Sequence, residues 1–433
     1  MKYIVPIWGR ADMTSEVASR QVANLQPPEP DLTPAVVIAR AEEMRSVLVD
    51  GQEATEKRTF YSAEMDAAFD DAGFYRILQP RMFGGYEFDV PTFYKVIIEI
   101  ARGCPSTGWC LSLAAAHSLQ AGALFDEQAQ REMFGSDGNF RAATRDTPRG
   151  TARKVDGGYL VNGTWDYCSG IPWSTHLMAG AMVEKDSDGA VEFDQFSGRQ
   201  LLLVLRREQF EQLNDWGNML GLRGSGSHSV RVENAFVPDH MLHSVNLLDI
   251  DVSEGTVGAR LHGNPMYAGR QVGFFGAELA SIAVGTAKAM LDEYERIITT
   301  KKTTFAPHVL RATVNDYQRT LGQAMGMVDA AEAIVLQVGH LYMEYCRANA
   351  AGEQPFTTEM DYRLDQMAIQ AGFLAWQAAD VLVRTGGSSP MANGARMQRY
   401  LRDMTQYRTH MAASNWELMA TTTAKFHLQS FLD

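Results

Sequence analysis

Between about Asn139 and Leu247 the hydrophobic period of this chain switches from the three-and-four spacing of helices to the alternation of strands, and then it switches back. Before the switch, VVIARAEEMRSVLVD, AEMDAAFDDAGF, VPTFYKVIIEIARG and STGWCLSLAAAHSLQAGALF repeat apolar residues at helical intervals. The middle stretch holds short runs, GGYLVNGTW, QLLLVLRREQF and SVRVENAFVP, broken by Gly, Asp and Asn. Beyond it stand long, Ala-rich amphipathic segments, the last of them ARMQRYLRDMTQYRTHMAASNWELMATTTAKF, with the composition of an antiparallel four-helix bundle. The expected layout is mainly α with a middle β domain. It comprises a flexible arm over 1–32 ending in the proline-rich LQPPEPDLTP, an N-terminal helical domain over 33–138, the β domain over 139–250 and the bundle over 251–433.

Charge and cysteine usage narrow the function. A net charge of -13 with no concentrated run of Lys and Arg argues against a nucleic-acid partner. Cys104, Cys110, Cys168 and Cys346 form no CxxC pair, so neither a metal site nor a disulfide framework is expected, and a reducing cytoplasm is the simple location. The start MKYIVPIWGR lacks a secretory apolar run, no membrane-spanning helix is expected, and no GxGxxG fingerprint for a dinucleotide occurs.

One late segment poses a sharper question. If RYLRDMTQYRTHMAA is one helix, Asp403, Tyr407 and His410 fall at i, i+4 and i+7 and share a face. Spacing alone does not separate a filled core from the wall of an active site.

The order of helices, small β domain and bundle resembles the acyl-CoA dehydrogenase fold. ILQPRMFGGYEFD, GCPSTGWCLSLAAAHS, GGYLVNGTWDYCSG, WGNMLGLRGSGSHSVRVENAFVPDHM and RTGGSSPMANGARMQRYLRD follow in that superfamily's order. The resemblance implies an N-terminal helical domain, a β-barrel-like domain and a C-terminal four-helix bundle. In the commonest dehydrogenases a catalytic glutamate lies one helical stretch after an Arg-Asp pair. Here the stretch after Arg402-Asp403 reads Thr409-His410-Met411-Ala412, which offers no carboxylate base. Glu278 and Glu293 remain candidates for that base, and an acyl-CoA dehydrogenase using FAD is the alternative reading.

The pattern is more similar to flavin-dependent monooxygenases on this fold, the oxygenase components of two-component hydroxylases acting on hydroxyphenylacetate and secosteroid phenols. That likeness implies reduced FMN or FAD supplied by a separate flavin reductase, O2 as co-substrate, oxygen transfer through a C4a-hydroperoxyflavin to a small aromatic substrate, expected to be phenolic, and a homotetramer. His410 is then expected to protonate or stabilise the peroxide, Ser169 to hydrogen-bond near flavin N5, and His117 to orient or deprotonate the phenol. By the same likeness, cofactor contacts are expected from Thr144 and Asp146 in the loop RAATRDTPRGTA, from Tyr167 on the strand that packs on the flavin ring, from Arg270 at a cofactor phosphate, and, across a subunit boundary, from Arg384, Gly386 and Gly387. The LRGSGSHS turn, with Arg223 and Ser227, matches the superfamily's LRGTGS-like turn. After Ser169-Gly170 the chain departs from the hydroxylases' Cys-Asp-His run with IPWSTH.

Overall fold

Thr33 accepts a hydrogen bond from the Val36 N–H and starts α1 (Pro34–Glu43), with proline in the first turn. The computed structural model describes residues 25–184, 200–243, 248, 250–429 and 431. Residues 1–24 of the expected arm lie outside that set. Its remainder is packed: the Leu25 N–H donates to the Met82 carbonyl at 2.9 Å, and Leu32 is buried. The first helical run is broken at Met44 into α1 and α2 (Arg45–Arg58). Ser62, Asp89 and Asp126 then cap α3 (Ala63–Asp71), α4 (Val90–Gly103) and α6 (Glu127–Phe134).

Between α4 and α6 runs α5 (Pro105–Leu124), in which every residue but Leu113 is buried. A helix that is apolar or small on all sides is a central helix, and its small residues admit close neighbours. A Cβ at Gly108 would stand 2.8 Å from Ala101, so α4 and α5 touch through that glycine.

The β region forms one seven-stranded sheet: β1 (Ala142–Val155), β2 (Gly158–Trp165), β3 (His176–Val183), β4 (Gln200–Arg206), β5 (Glu211–Gln212), β6 (Val230–Pro238) and β7 (Leu242–His243). The order is β5-β6-β2-β1-β3-β4-β7, with β1 and β3 parallel and the other pairs antiparallel. A register shift between Arg145 and Gly150 interrupts the β1 and β3 ladder, and Gly180 lets the Asp146 carbonyl approach to where a Cβ would lie 1.9 Å away. Thr144 and Asp146, expected in a loop, are therefore on a strand, Thr144 just before its bulge and Asp146 within it.

After α7 (Val257–His262), α8 (Val272–Thr300) and α10 (Thr358–Gly386) run parallel. Asp361 accepts from the Gly273 N–H at one end, and Tyr294 meets Thr385 at the other. Between them α9 (Asn315–Ala350) runs the opposite way, pairing Glu332 with Lys288. The fourth place is filled by pieces. The final segment, expected as one helix, is α11 (Arg396–Thr409), α12 (Met411–Ser414) and α13 (Trp416–Gln429), with α11 against α8 and α13 against α10. By length and hydropathy α8 could cross a membrane, contrary to the expectation that no helix would. Its most apolar window is 78% buried within the protein, as the core helix of the bundle.

Candidate active site

His410 stands at the break between α11 and α12 with extended backbone, φ -68° and ψ 144°. Asp403 and Tyr407 do share the buried face of α11, but His410 is no longer on that helix. Its Nδ1 accepts the Ala412 N–H at 3.3 Å, capping α12, so the ring's proton resides on Nε2. Burial, reinforced by the positive charge of Arg145, pushes the imidazole down to about 4. At neutral pH His410 is thus an uncharged Nε2–H donor, where the sequence suggested a group titrating near 7.

The His410 ring meets Trp109 of α5 edge-on, 5.2 Å between centroids. The Trp109 indole donates to the Ser169 hydroxyl at 3.0 Å; Ser169 Oγ lies 2.8 Å from Ser227 Oγ, which lies 2.7 Å from Ser225 Oγ. This hydroxyl chain is held by backbone. The Gly170 N–H donates to the Ser225 carbonyl, and Gly170, at φ +79°, lies so close to α5 that a Cβ would be 2.8 Å from the Cys110 carbonyl oxygen. Asp403 accepts the Leu222 N–H at 2.6 Å, which ties the second turn to α11.

Eight residues after Trp109, about 12 Å along α5, His117 is 1% exposed. Its Nδ1 faces the carbonyls of Leu113 (2.5 Å) and Ala142 (2.8 Å), so Nδ1 carries the proton and Nε2 keeps its lone pair. Burial lowers its pKa, while Asp146 pulls the other way. The ring lies 5.3 Å from that of Phe275 on α8. Thr144 donates its hydroxyl to Asp146 (2.9 Å) or to the Met178 carbonyl (3.0 Å), so the β1 pair sits at the His117 end. Arg145, between them in sequence, is felt by His410 and Cys168 and joins the two ends electrostatically. Neither Trp109 nor Arg145 was singled out from the sequence. The tryptophan stands in the quoted Ser-Thr-Gly-Trp motif and was the available signal.

Other expected contacts lie elsewhere or do other work. Tyr167 is not on the strand but in the turn beyond Trp165, 48% exposed at φ +59°, with its ring edge-on to Trp216. Arg270 is committed inside the chain. Both of its Nη atoms donate to carbonyls, of Ile250 and Leu248, and its Nε faces Asp361 at 3.5 Å, so the charge is turned inward. Arg384 is exposed and paired with Asp380, and Arg311 donates to the Gly386 carbonyl beside Gly387. From Phe275 to Tyr294, which marks that end of the bundle, α8 rises roughly 28 Å, so this turn is remote from His117 within one chain. Arg223 donates to the Met219 carbonyl. Glu278 is fully buried, bonded to Ser112 at 2.5 Å and pushed up to about 8, and Glu293 is ion-paired with Arg296.

The residues present fit a flat aromatic cofactor with polar edges. Exposed Tyr167 offers a ring, the Ser169 hydroxyl offers a donor, and Arg145 Nε and Asp166 Oδ1, buried and ion-paired at 3.4 Å but with no hydrogen-bond partner, offer a charged edge.

A family model described as the acyl-CoA dehydrogenase C-terminal domain matches residues 277–415. The chain is 31% identical over 347 residues to the flavin-dependent monooxygenase oxygenase subunit HsaA of Rhodococcus jostii (strain RHA1), covering 80% of this chain and 86% of the relative. It is 26% identical over 383 residues to the oxygenase component of the FADH(2)-dependent resorcinol hydroxylase of Rhizobium sp. (strain MTP-10005), covering 85% and 88%. The crystal structure of 3-HSA hydroxylase from Rhodococcus sp. RHA1 superposes with a TM-score of 0.80 at 26% identity, covering 91% of this chain and 97% of that one.

Proposed function

Because this chain belongs to the family of flavin-dependent monooxygenase oxygenase subunits, we propose that it hydroxylates a small phenolic substrate at the wall formed by Trp109, His117, Ser169 and His410. It is an oxidoreductase on the acyl-CoA dehydrogenase fold that uses reduced flavin and O2. Reduced flavin arrives from a separate reductase, as befits the oxygenase component of a two-component system. The resorcinol hydroxylase acts on a substrate that is itself a phenol, which supports a phenolic ring here.

When bound, the flavin supplies oxygen activation and the oxygen atom that is transferred. The chain supplies hydrogen bonds, proton positions and exclusion of water. His410 presents Nε2–H as a neutral donor to negative charge that develops beside it. Ser169, which accepts from Trp109, has its own O–H free to donate to the cofactor edge or to Ser227. His117 presents a bare Nε2 that can take a phenol proton, and its Nδ1–H bonds to carbonyls hold that tautomer in place. Thr144, Asp146 and Tyr167 are proposed to border the flavin. Arg384, Gly386 and Gly387 reach a flavin only in another protomer, which is in keeping with a homotetramer. Exposed Met411, Trp416, Leu418 and Leu428 give α12 and α13 apolar surface for such assembly. A cytoplasmic location belongs to the same proposal, and four buried free thiols suit it.

The observation that carries the reading is the helix break that sets a neutral histidine on Trp109 where a dehydrogenase would present a carboxylate. The deciding experiment loads the protein anaerobically with reduced FMN or FAD and mixes it with oxygenated buffer. A transient near-ultraviolet absorbance ahead of oxidised flavin, together with oxygen incorporation into a phenol, is expected. Bleaching of tightly held oxidised FAD by an acyl-CoA thioester would overturn the reading.

A further inference from the structure

Along α8 from Val272 to Ala287, Phe275 and Gly276 are the residues that keep appreciable surface in the first half of the run, while Val272 to Phe274 and Ala277 to Ala287 are buried. A buried helix that is bare at two adjacent positions marks a groove, and the rings and backbones around it say where it runs. On one side Phe275 meets His117 of α5. On the other, Gly276 faces Asp365 of α10, so closely that a Cβ there would lie 2.2 Å from the Asp365 Oδ1. Tyr407 of α11 packs on Gly372, two turns along α10 from Asp365, and three residues later comes His410. The groove therefore lies between α5 and α10 over α8, with the α11 and α12 junction at its end.

Asp365 is the unexplained group in this groove. Its side chain is 5% exposed, and among the described residues none donates a hydrogen bond or a salt bridge to it. Its neighbour Asp361, one turn earlier, is fully satisfied by the Val272 and Gly273 N–H groups and by Arg270. A buried carboxyl left without a partner is costly unless something polar completes it. The glycine at 276 makes room for that carboxyl against α8, at the floor of the groove.

We propose that Asp365 is a substrate-recognition residue whose neutral carboxyl donates a hydrogen bond to a carbonyl or hydroxyl oxygen on the part of the aromatic substrate that is not oxygenated. The proposal rests on the phenol-hydroxylase reading above. The substrate class it names is a phenol bearing an uncharged, oxygen-containing side arm. Burial and the nearby Asp361 push Asp365 up to about 8, so below that pH it is a donor. The other titratable groups facing it are Tyr407 from α11, itself pushed up by burial and by Asp365, and Arg270, which is engaged with Asp361; α8 contributes the uncharged backbone of Gly276.

The test is equilibrium binding, by calorimetry, of two ligands to the full-length flavin-loaded protein: 4-(4-hydroxyphenyl)butan-2-one, which has the acceptor oxygen, and 4-butylphenol, which lacks it. At pH 7 the ketone is expected to bind about five-fold more tightly, the worth of one neutral hydrogen bond. That preference should fade as pH rises through about 8, when Asp365 loses its proton. Asp365→Asn, which still donates, should keep the preference and lose its pH dependence. Asp365→Leu should abolish the preference while leaving 4-butylphenol binding within about two-fold of wild type, since a single exchanged hydrogen bond sets the difference. Equal affinity of wild type for the two ligands, or equal weakening of both by Asp365→Leu, would overturn the assignment. Failure of both phenols to bind would instead overturn the hydroxylase reading on which it rests.

Discussion

Replacing Asp403 tests how the site turn is held, because its carboxylate links α11 to the Leu222 N–H at 2.6 Å from a position only 2% exposed. Leu222 is itself in the left-handed region at φ 49°, beside Gly221, which packs against the Arg402 carbonyl too closely for any Cβ. Asp403→Ala leaves that N–H buried and unpaired, at a cost of about 2 kcal/mol. Asp403→Asn keeps an acceptor of the same shape and should lose much less at pH 5. The two variants also separate through pH. Burial, with help from Glu56, raises the Asp403 carboxyl to about 7 against the opposing pull of the Leu222 bond, Arg402 and Arg399. An acid raised on folding binds more protons in the native than in the unfolded state. Its contribution is therefore most favourable at low pH and is lost as pH climbs from about 4 to about 7. Asparagine carries no such term, so the stability of Asp403→Asn relative to wild type should improve by about 2 kcal/mol between pH 5 and pH 7, at no more than about 1.4 kcal/mol per pH unit. Urea unfolding of both proteins at the two pH values measures this double difference, in which the other raised carboxyls, Asp361, Asp365 and Glu278, cancel. A relative stability that does not change with pH, or an Asn variant as unstable as the Ala variant, would refute the reasoning.

Three further outcomes follow from the geometry. Gly170→Ala, at φ +79° and with its Cβ 2.8 Å from the Cys110 carbonyl oxygen, should cost about 2 kcal/mol in thermal or urea unfolding and weaken flavin retention by displacing Ser169. The His410 imidazole, followed by NMR in isotopically labelled flavin-free protein, should stay neutral from pH 8 to pH 5 and begin to charge only near 4; an inflection near 6.5 would show that burial and Arg145 do not govern it. Arg270→Ala strands Asp361 without its nearby cation and should destabilise folding by about 3–5 kcal/mol, measurable by urea unfolding; a stable variant that had merely lost flavin affinity would restore the phosphate role.

Hydrophobic period and residue size, which are local properties, made the helix, sheet and bundle order legible, and the all-buried nature of α5 is visible in STGWCLSLAAAHSLQAGAL. The motif positions also put His117, Ser169 and His410 forward, on resemblance rather than on spacing. What the chain alone did not reveal is which side chains meet. Trp109 bridges Ser169 and His410 from sequence distances of 60 and 301 residues, and Asp365 lies opposite Gly276 only because α8 and α10 run parallel. The break at His410 was equally hidden, since RYLRDMTQYRTHMAAS continues a helical pattern through it and only the capping geometry of α12 in its tertiary setting turns the backbone there. Charge state followed the same division. The sequence names a histidine and its ordinary range, but desolvation and a neighbouring arginine, both products of packing, decide that His410 is neutral and that Arg270 is already spent inside the protein.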